Sequence, residues 1–117
     1  MGGGSHNPEW IGKAVSIIEE DVRKHFTICE ISAAVGTNSF SLKQGFKQVF
    51  GIGPFEYLQN VRLNQAAHLL IHTTQPVKNI AKHVGYKSPS SFIVVFKKKY
   101  GNSPTQWRKA ERKKLIE

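Results

Sequence analysis

One cysteine in 117 residues, Cys29, excludes an internal disulfide and any metal cage built on cysteines. No apolar run approaches the roughly 20 residues needed to span a bilayer. Acid is also scarce: eight Asp and Glu stand against seventeen Lys and Arg, giving a formal charge of +9 and a pI near 9.9. The acid that exists lies early, with Glu9, Glu19, Glu20, Asp21 and Glu30 in the first thirty residues. From Ile31 onward there are fourteen basic residues and three acidic ones. A basic body behind an acidic first segment directs one face toward a polyanion. A solvated basic surface kept for solubility is the plainer alternative. No alternating strand pattern is present. No Ser-His-Asp set, catalytic carboxylate pair or phosphate-cradling glycine loop can be assembled, so neither an enzyme nor a cofactor is expected.

What is present is a pattern and its copy. In Lys78 to Lys99, KNIAKHVGYKSPSSFIVVFKKK, residues Ile80, Ala81 and Val84 share a helical face and Gly85 breaks the run. Ser88-Pro89 restarts it, because Ser caps helices and Pro at the first helical position forfeits no hydrogen bond. Phe92, Phe96 and Tyr100 form the apolar stripe of the second helix. Short helix, glycine turn and lysine-ended helix make a helix-turn-helix. Earlier, Ile31, Val35 and Gly36 match Ile80, Val84 and Gly85 at an offset of 49. Phe46, Phe50 and Gly51 match Phe96, Tyr100 and Gly101 at an offset of 50. The second copy thus carries one extra residue after its turn. The motif is duplicated.

The expected fold is all-α, with two helix-turn-helix subdomains, a long linker helix and about seven helices. An apolar content of 39%, with seven Phe and two Trp, suffices for a modest core. Residues 1–7 read as an appended tail without a signal-peptide core, which suggests a piece of a longer protein in a cytoplasmic, nucleoid-associated setting. Residues 8–53 form the first subdomain, 54–75 the linker and 76–117 the second subdomain with a basic tail. The first helix is expected from Pro8 to Lys24, and Thr27-x-x-Glu30 is a capping box opening the second. The third runs from about Ser39 to Phe50, with Leu42, Phe46, Val49 and Phe50 inward. The fourth runs from Pro54 to about His72 with a broad apolar surface that includes Phe55. The fifth covers about Val77 to Val84 and the sixth about Ser88 to Tyr100. The seventh starts at Pro104.

Helical geometry at 100° per residue then selects the outward side chains. On the third helix they are Phe40, Gln44 and Lys47, flanked by Lys43 and Gln48. Gln pairs bidentately with adenine, Lys reaches guanine or a phosphate, and an outward Phe suits a thymine methyl. On the sixth they are Ser90, Val94 and Lys97, flanked by Ser91, Ile93 and Lys98. That face is poor in base-reading groups and suits phosphates. Base reading is therefore expected from Phe40, Lys43, Gln44 and Lys47. DNA contact in the second unit is expected from Ser90, Ser91, Ile93 and Val94, and phosphate contact from Gln48, Lys97, Lys98 and Arg108. His68 and His72, four apart, have the spacing of a metal pair, but with no third ligand beside them they read as surface histidines. Cys29 also reads as a surface residue.

These residues carry a resemblance. The span from about Ile28 to Arg108 resembles the DNA-binding domain of AraC/XylS-type bacterial transcription regulators. The carriers are Ile31-Ser-Ala-Ala-Val-Gly36, Phe46-Lys-Gln-Val-Phe-Gly51, Val61-Arg62-Leu63 and Ile80-Ala-Lys-His-Val-Gly-Tyr86 with Ser88, Phe92, Phe96 and Ser103-Pro104. The resemblance implies homeodomain-like units whose recognition helices enter successive major-groove segments of promoter DNA, about one turn apart. It implies RNA polymerase as a partner and places any small-molecule effector on a domain outside these residues. Ile93-Val94 stands where members often carry a polar Ser-Arg pair. Two other readings remain open: a weakly specific, backbone-dominated DNA binder, and an interaction module that docks on polymerase.

Overall fold

The computed structural model describes residues 8–116. Among them are seven helices and no strand: α1 Glu9–Glu20, α2 Ile28–Ala34, α3 Ser39–Phe50, α4 Pro54–His72, α5 Val77–His83, α6 Pro89–Tyr100 and α7 Pro104–Ile116. The appended tail expected at residues 1–7 lies outside the described residues. The chain divides into two compact units, with the boundary between Val61 and Arg62, inside α4. The helix expected as a separate linker therefore contributes to both cores.

In the first unit α1 packs on α2 and α3. Its core is Ile11, Ala14, Ile18, Val22, Ile31, Leu42, Phe46 and Leu58. The capping box at Thr27 is complete: Glu30 N–H donates to Thr27 Oγ1 at 3.0 Å, and Thr27 N–H donates to Glu30 Oε1 at 2.8 Å. Helix α1 stops at Glu20 rather than Lys24, for a local reason. Asp21 is extended, and its carboxylate accepts from Arg23 N–H at 3.0 Å and Arg23 Nε at 3.1 Å. Such side-chain to backbone bonds compete with the helix ladder, and Glu19 and Glu20 suit the negative end of a helix dipole poorly. Two inward assignments also change. Phe50 is partly exposed, with its ring against Phe46 and Tyr57, and Phe55 is 70% exposed. Helical spacing alone thus overstated the buried part of the apolar surface of α4.

Tyr57 ties α4 to α1, its hydroxyl donating to Glu19 Oε2 at 2.8 Å. Burial, then the hydrogen bond and charge of Glu19, push the phenol up to about 12. The folded pKa lies above the unfolded one, so this contribution is complete below about pH 10 and is lost as pH rises through the folded value. Urea unfolding between about pH 10 and about pH 12 is expected to show a steeper loss for the parent chain than for Tyr57→Phe. Parallel losses would remove Tyr57 from the pH response.

In the second unit α5 packs on α6, and α6 on α7. The core is Leu63, Ala66, Leu70, Ile80, Ala81, Val84, Phe92 and Phe96, with Trp107, Tyr86 and the half-buried Tyr100 against it. Arg62 is only 6% exposed, with its guanidinium 5.7 Å from the centroid of the Tyr86 ring. Burial pushes its pKa down.

Candidate nucleic-acid interface

Each unit sets its second helix by the same device. Gly36 ends α2 at φ +79°, and Thr37 N–H donates back to Ser32 C=O at 2.9 Å. Gly85 ends α5 at φ +105°, and Tyr86 N–H donates to Ala81 C=O at 3.0 Å. A positive φ costs a side-chain-bearing residue roughly 1–2 kcal/mol, which explains glycine at both corners. The next helix is then capped: Asn38 Oδ1 accepts from Ser41 N–H at 2.8 Å, and Ser88 Oγ accepts from Ser91 N–H at 3.2 Å. Between glycine and cap lies Thr37 in the first unit, but Tyr86 and Lys87 in the second.

Helix α3 presents Phe40 (71% exposed), Lys43, Gln44, Lys47 and Gln48 to solvent as one face. Leu42, Gly45 and Phe46 are buried on the other side. Helix α6 presents Ser90, Ser91, Ile93, Val94 (66% exposed), Lys97 and Lys98, with Phe92 and Phe96 buried. Neither helix contains an acid. The α3 face combines an amide, two ammonium groups and an aromatic ring. On α6 the hydrogen-bonding groups are concentrated at the two ends, and the Ser91 hydroxyl accepts from Ser88 Oγ at 3.1 Å.

Arg108 departs from expectation. Its Nε donates to Leu70 C=O at 2.8 Å and its Nη2 to Thr73 C=O at 3.2 Å. Arg112 joins it on the carbonyls of Ile71 and Thr73. The Leu70 and Ile71 carbonyls are in the last turn of α4, whose carbonyls lack partners within the helix, and Thr73 follows it directly. Burial, then the neighbouring Arg112 charge, push the Arg108 pKa down. Arg108 is thus engaged in capping a helix end. Hydrogen bonds from charged groups contribute about 1.5–3 kcal/mol, so Arg108→Ala is expected to lower stability by about 2 kcal/mol. It should leave the salt dependence of DNA binding unchanged. A slope reduced at unaltered stability would restore the phosphate role.

A further recess, of about 390 Å³, is lined by Lys78, Asn79, Lys82, Tyr86, Lys87 and Pro89. None of these lies on the outward faces read from helical wheels. The available signal was the i, i+4 spacing of Lys78 and Lys82, together with the lysine in the longer second turn. His68 and His72 are exposed, with ring centroids 4.4 Å apart, and no group of three or more possible metal ligands occurs among the described residues. Cys29 is exposed beside Ser39, Sγ to Oγ 3.6 Å.

The model of the helix-turn-helix domain family matches residues 31–110, both turns included. The chain belongs to the AraC-type helix-turn-helix family. It is similar to the lactose operon transcription activator of Staphylococcus xylosus, 35% identical over 86% of this chain and 36% of that protein. Among solved structures, the C-terminal domain of AraT, a response regulator from Geobacillus stearothermophilus, is 29% identical with a TM-score of 0.83, covering 91% of this chain and 88% of that one. An AraC-type transcriptional regulator from Chromobacterium violaceum is 28% identical with a TM-score of 0.80, covering 88% and 91%. This AraC-type domain spans between about a third and about half the length of curated relatives that it matches. It is a DNA-binding domain of the kind found in transcription regulators. Among the described residues no helix is long and apolar enough to cross a membrane.

Proposed function

We propose that this AraC-type domain binds promoter DNA in a sequence-specific manner, with α3 and α6 each entering a major-groove segment and doing unequal work. The observation that carries this reading is the chemistry of the two outward faces. Gln44, Lys43 and Lys47, with Phe40, supply hydrogen bonds and apolar contact for base edges. On α6, Ile93 and Val94 cannot hydrogen-bond a base edge, while Lys97 and Lys98 suit phosphates. RNA polymerase is the proposed protein partner, and the cytoplasm the proposed site of action. An effector, where one acts, would bind elsewhere in a longer protein.

Selection from a random duplex library at roughly physiological salt tests this reading. The expected product is an asymmetric motif, sharply defined on one side and loose on the other. Gln44→Ala is expected to relax preference at one base position, costing about 1–3 kcal/mol on the preferred site. Lys97→Ala should weaken all sequences alike and lower the salt slope by about one unit. If both substitutions affect every sequence equally, the division of labour is lost. No enriched motif, with affinity that merely tracks salt, would favour the backbone-dominated binder.

A further inference from the structure

We infer that the recess beside the second turn is a phosphate-holding site, present in the second unit and without a counterpart in the first. This deepens the DNA-binding reading above and rests on it. Lys78, Lys82 and Lys87 place three ammonium groups around one recess of about 390 Å³, together with the Asn79 amide, and no carboxylate lines it. The ion pairs of Asp21 with Arg23 and of Lys114 with Glu111 lie elsewhere. Three like charges at one recess repel one another at a cost set by Coulomb's law in a surface dielectric. A phosphate oxygen placed among them reverses the sign of that energy. Lysine suits this task as a point charge on a flexible stem that follows a phosphate without fixed geometry.

The repeat supplies the comparison. At an offset of 49, Lys78, Asn79 and Lys82 correspond to Cys29, Glu30 and Ala33. Glu30 is committed to its capping box. The first unit therefore offers one acid and no cation where the second offers two lysines. The third, Lys87, belongs to the stretch that the longer second turn adds, and Tyr86 of the same stretch also lines the recess. The turn, longer by one residue than its counterpart, thus contributes two of the six lining residues. Phosphate groups of the DNA backbone are the ligand. Free inorganic phosphate shares the chemistry and is the other possible source.

The test compares the parent chain with Lys78→Gln/Lys82→Gln/Lys87→Gln and with a charge-matched control, Lys109→Gln/Lys113→Gln/Lys114→Gln. The parent and both variants are first checked for equal thermal unfolding. Affinity for the selected duplex is measured against salt. In a second arm, inorganic phosphate is titrated into each chain alone at constant ionic strength, followed by backbone amide shifts. The recess variant is expected to lower the salt slope by about 2–3 units, since each neutralised phosphate contributes about 0.9. Its base preferences should stay unchanged, and the control should lose less. Saturable shifts confined to residues 78–90 and absent from the recess variant would equally support the site, with free phosphate as the source. An unchanged slope without saturable phosphate binding would overturn it, as would an equal loss in the control, which would reduce the effect to net charge. A parent chain that selects no sequence would count against the promoter-reading function instead, and the phosphate arm would still decide the recess.

Discussion

Phe96→Ala is expected to destabilise the second unit by about 3–5 kcal/mol, the range for truncating a fully buried aromatic side chain. Phe96 is completely buried, and its ring lies 5.6 Å from Phe92, 4.4 Å from Tyr100 and 5.5 Å from Trp107, centroid to centroid. The chain of rings continues from Phe92 to Tyr86 at 5.5 Å. Removing the central member loses dispersion contacts to three neighbours and leaves a cavity that helices α6 and α7 cannot close without moving. The domain is small, and a typical total stability is only about 5–15 kcal/mol. The variant is therefore expected to lie near its unfolding midpoint at modest denaturant. Trp107 packs on this core and Trp10 on the first, so each unit carries its own fluorescent reporter. Denaturation followed in a Trp10→Phe background should show the Trp107 signal moving to lower urea. A shift below about 1 kcal/mol would mean that the ring cluster contributes far less than its burial implies.

Gly45→Val is expected to cost the first unit about 3 kcal/mol, through overpacking rather than loss. Gly45 is buried in the middle of α3, and a Cβ there would lie 2.5 Å from Trp10 Cη2 and 3.2 Å from Ile11 Cδ1. Glycine inside a helix ordinarily costs up to about 1 kcal/mol relative to alanine, so its presence here needs a packing reason. The Trp10 ring is that reason. Valine also tests the repeat directly, because the matching position is Val95. If Trp10 is the obstacle, Trp10→Leu should recover part of the loss in the double variant, and the two changes should be strongly non-additive. Additive costs would remove Trp10 as the cause.

Helix positions were legible because their signals are local. Glycine corners, Ser or Asn caps, helix-starting prolines and the Thr27–Glu30 box act within four residues, and α3 and α4 have the limits that the sequence implied. Outward faces were legible wherever a strong apolar stripe fixed the opposite side, as on α3. Legibility failed where the deciding partner lies far along the chain. Arg108 reads as a basic tail residue until the carbonyl of Leu70, 38 residues away, accepts its hydrogen bond. Gly45 reads as a weak spot until Trp10 is placed against it, and Phe55 reads as core although it is exposed. The lysine recess was missed for a related reason. Its members come from α5, the turn and the start of α6, so no single helical wheel gathers them.

No residue belongs to both cores: the first ends with Leu58 and the second begins with Leu63 along α4. Substitutions on the outward faces of α3 and α6 therefore share no buried partner, the condition under which separate changes combine additively. The duplication has left two cores with separate memberships. On the proposed reading, variants of α3 selected for one half-site and variants of α6 selected for another are expected to recombine by simple exchange.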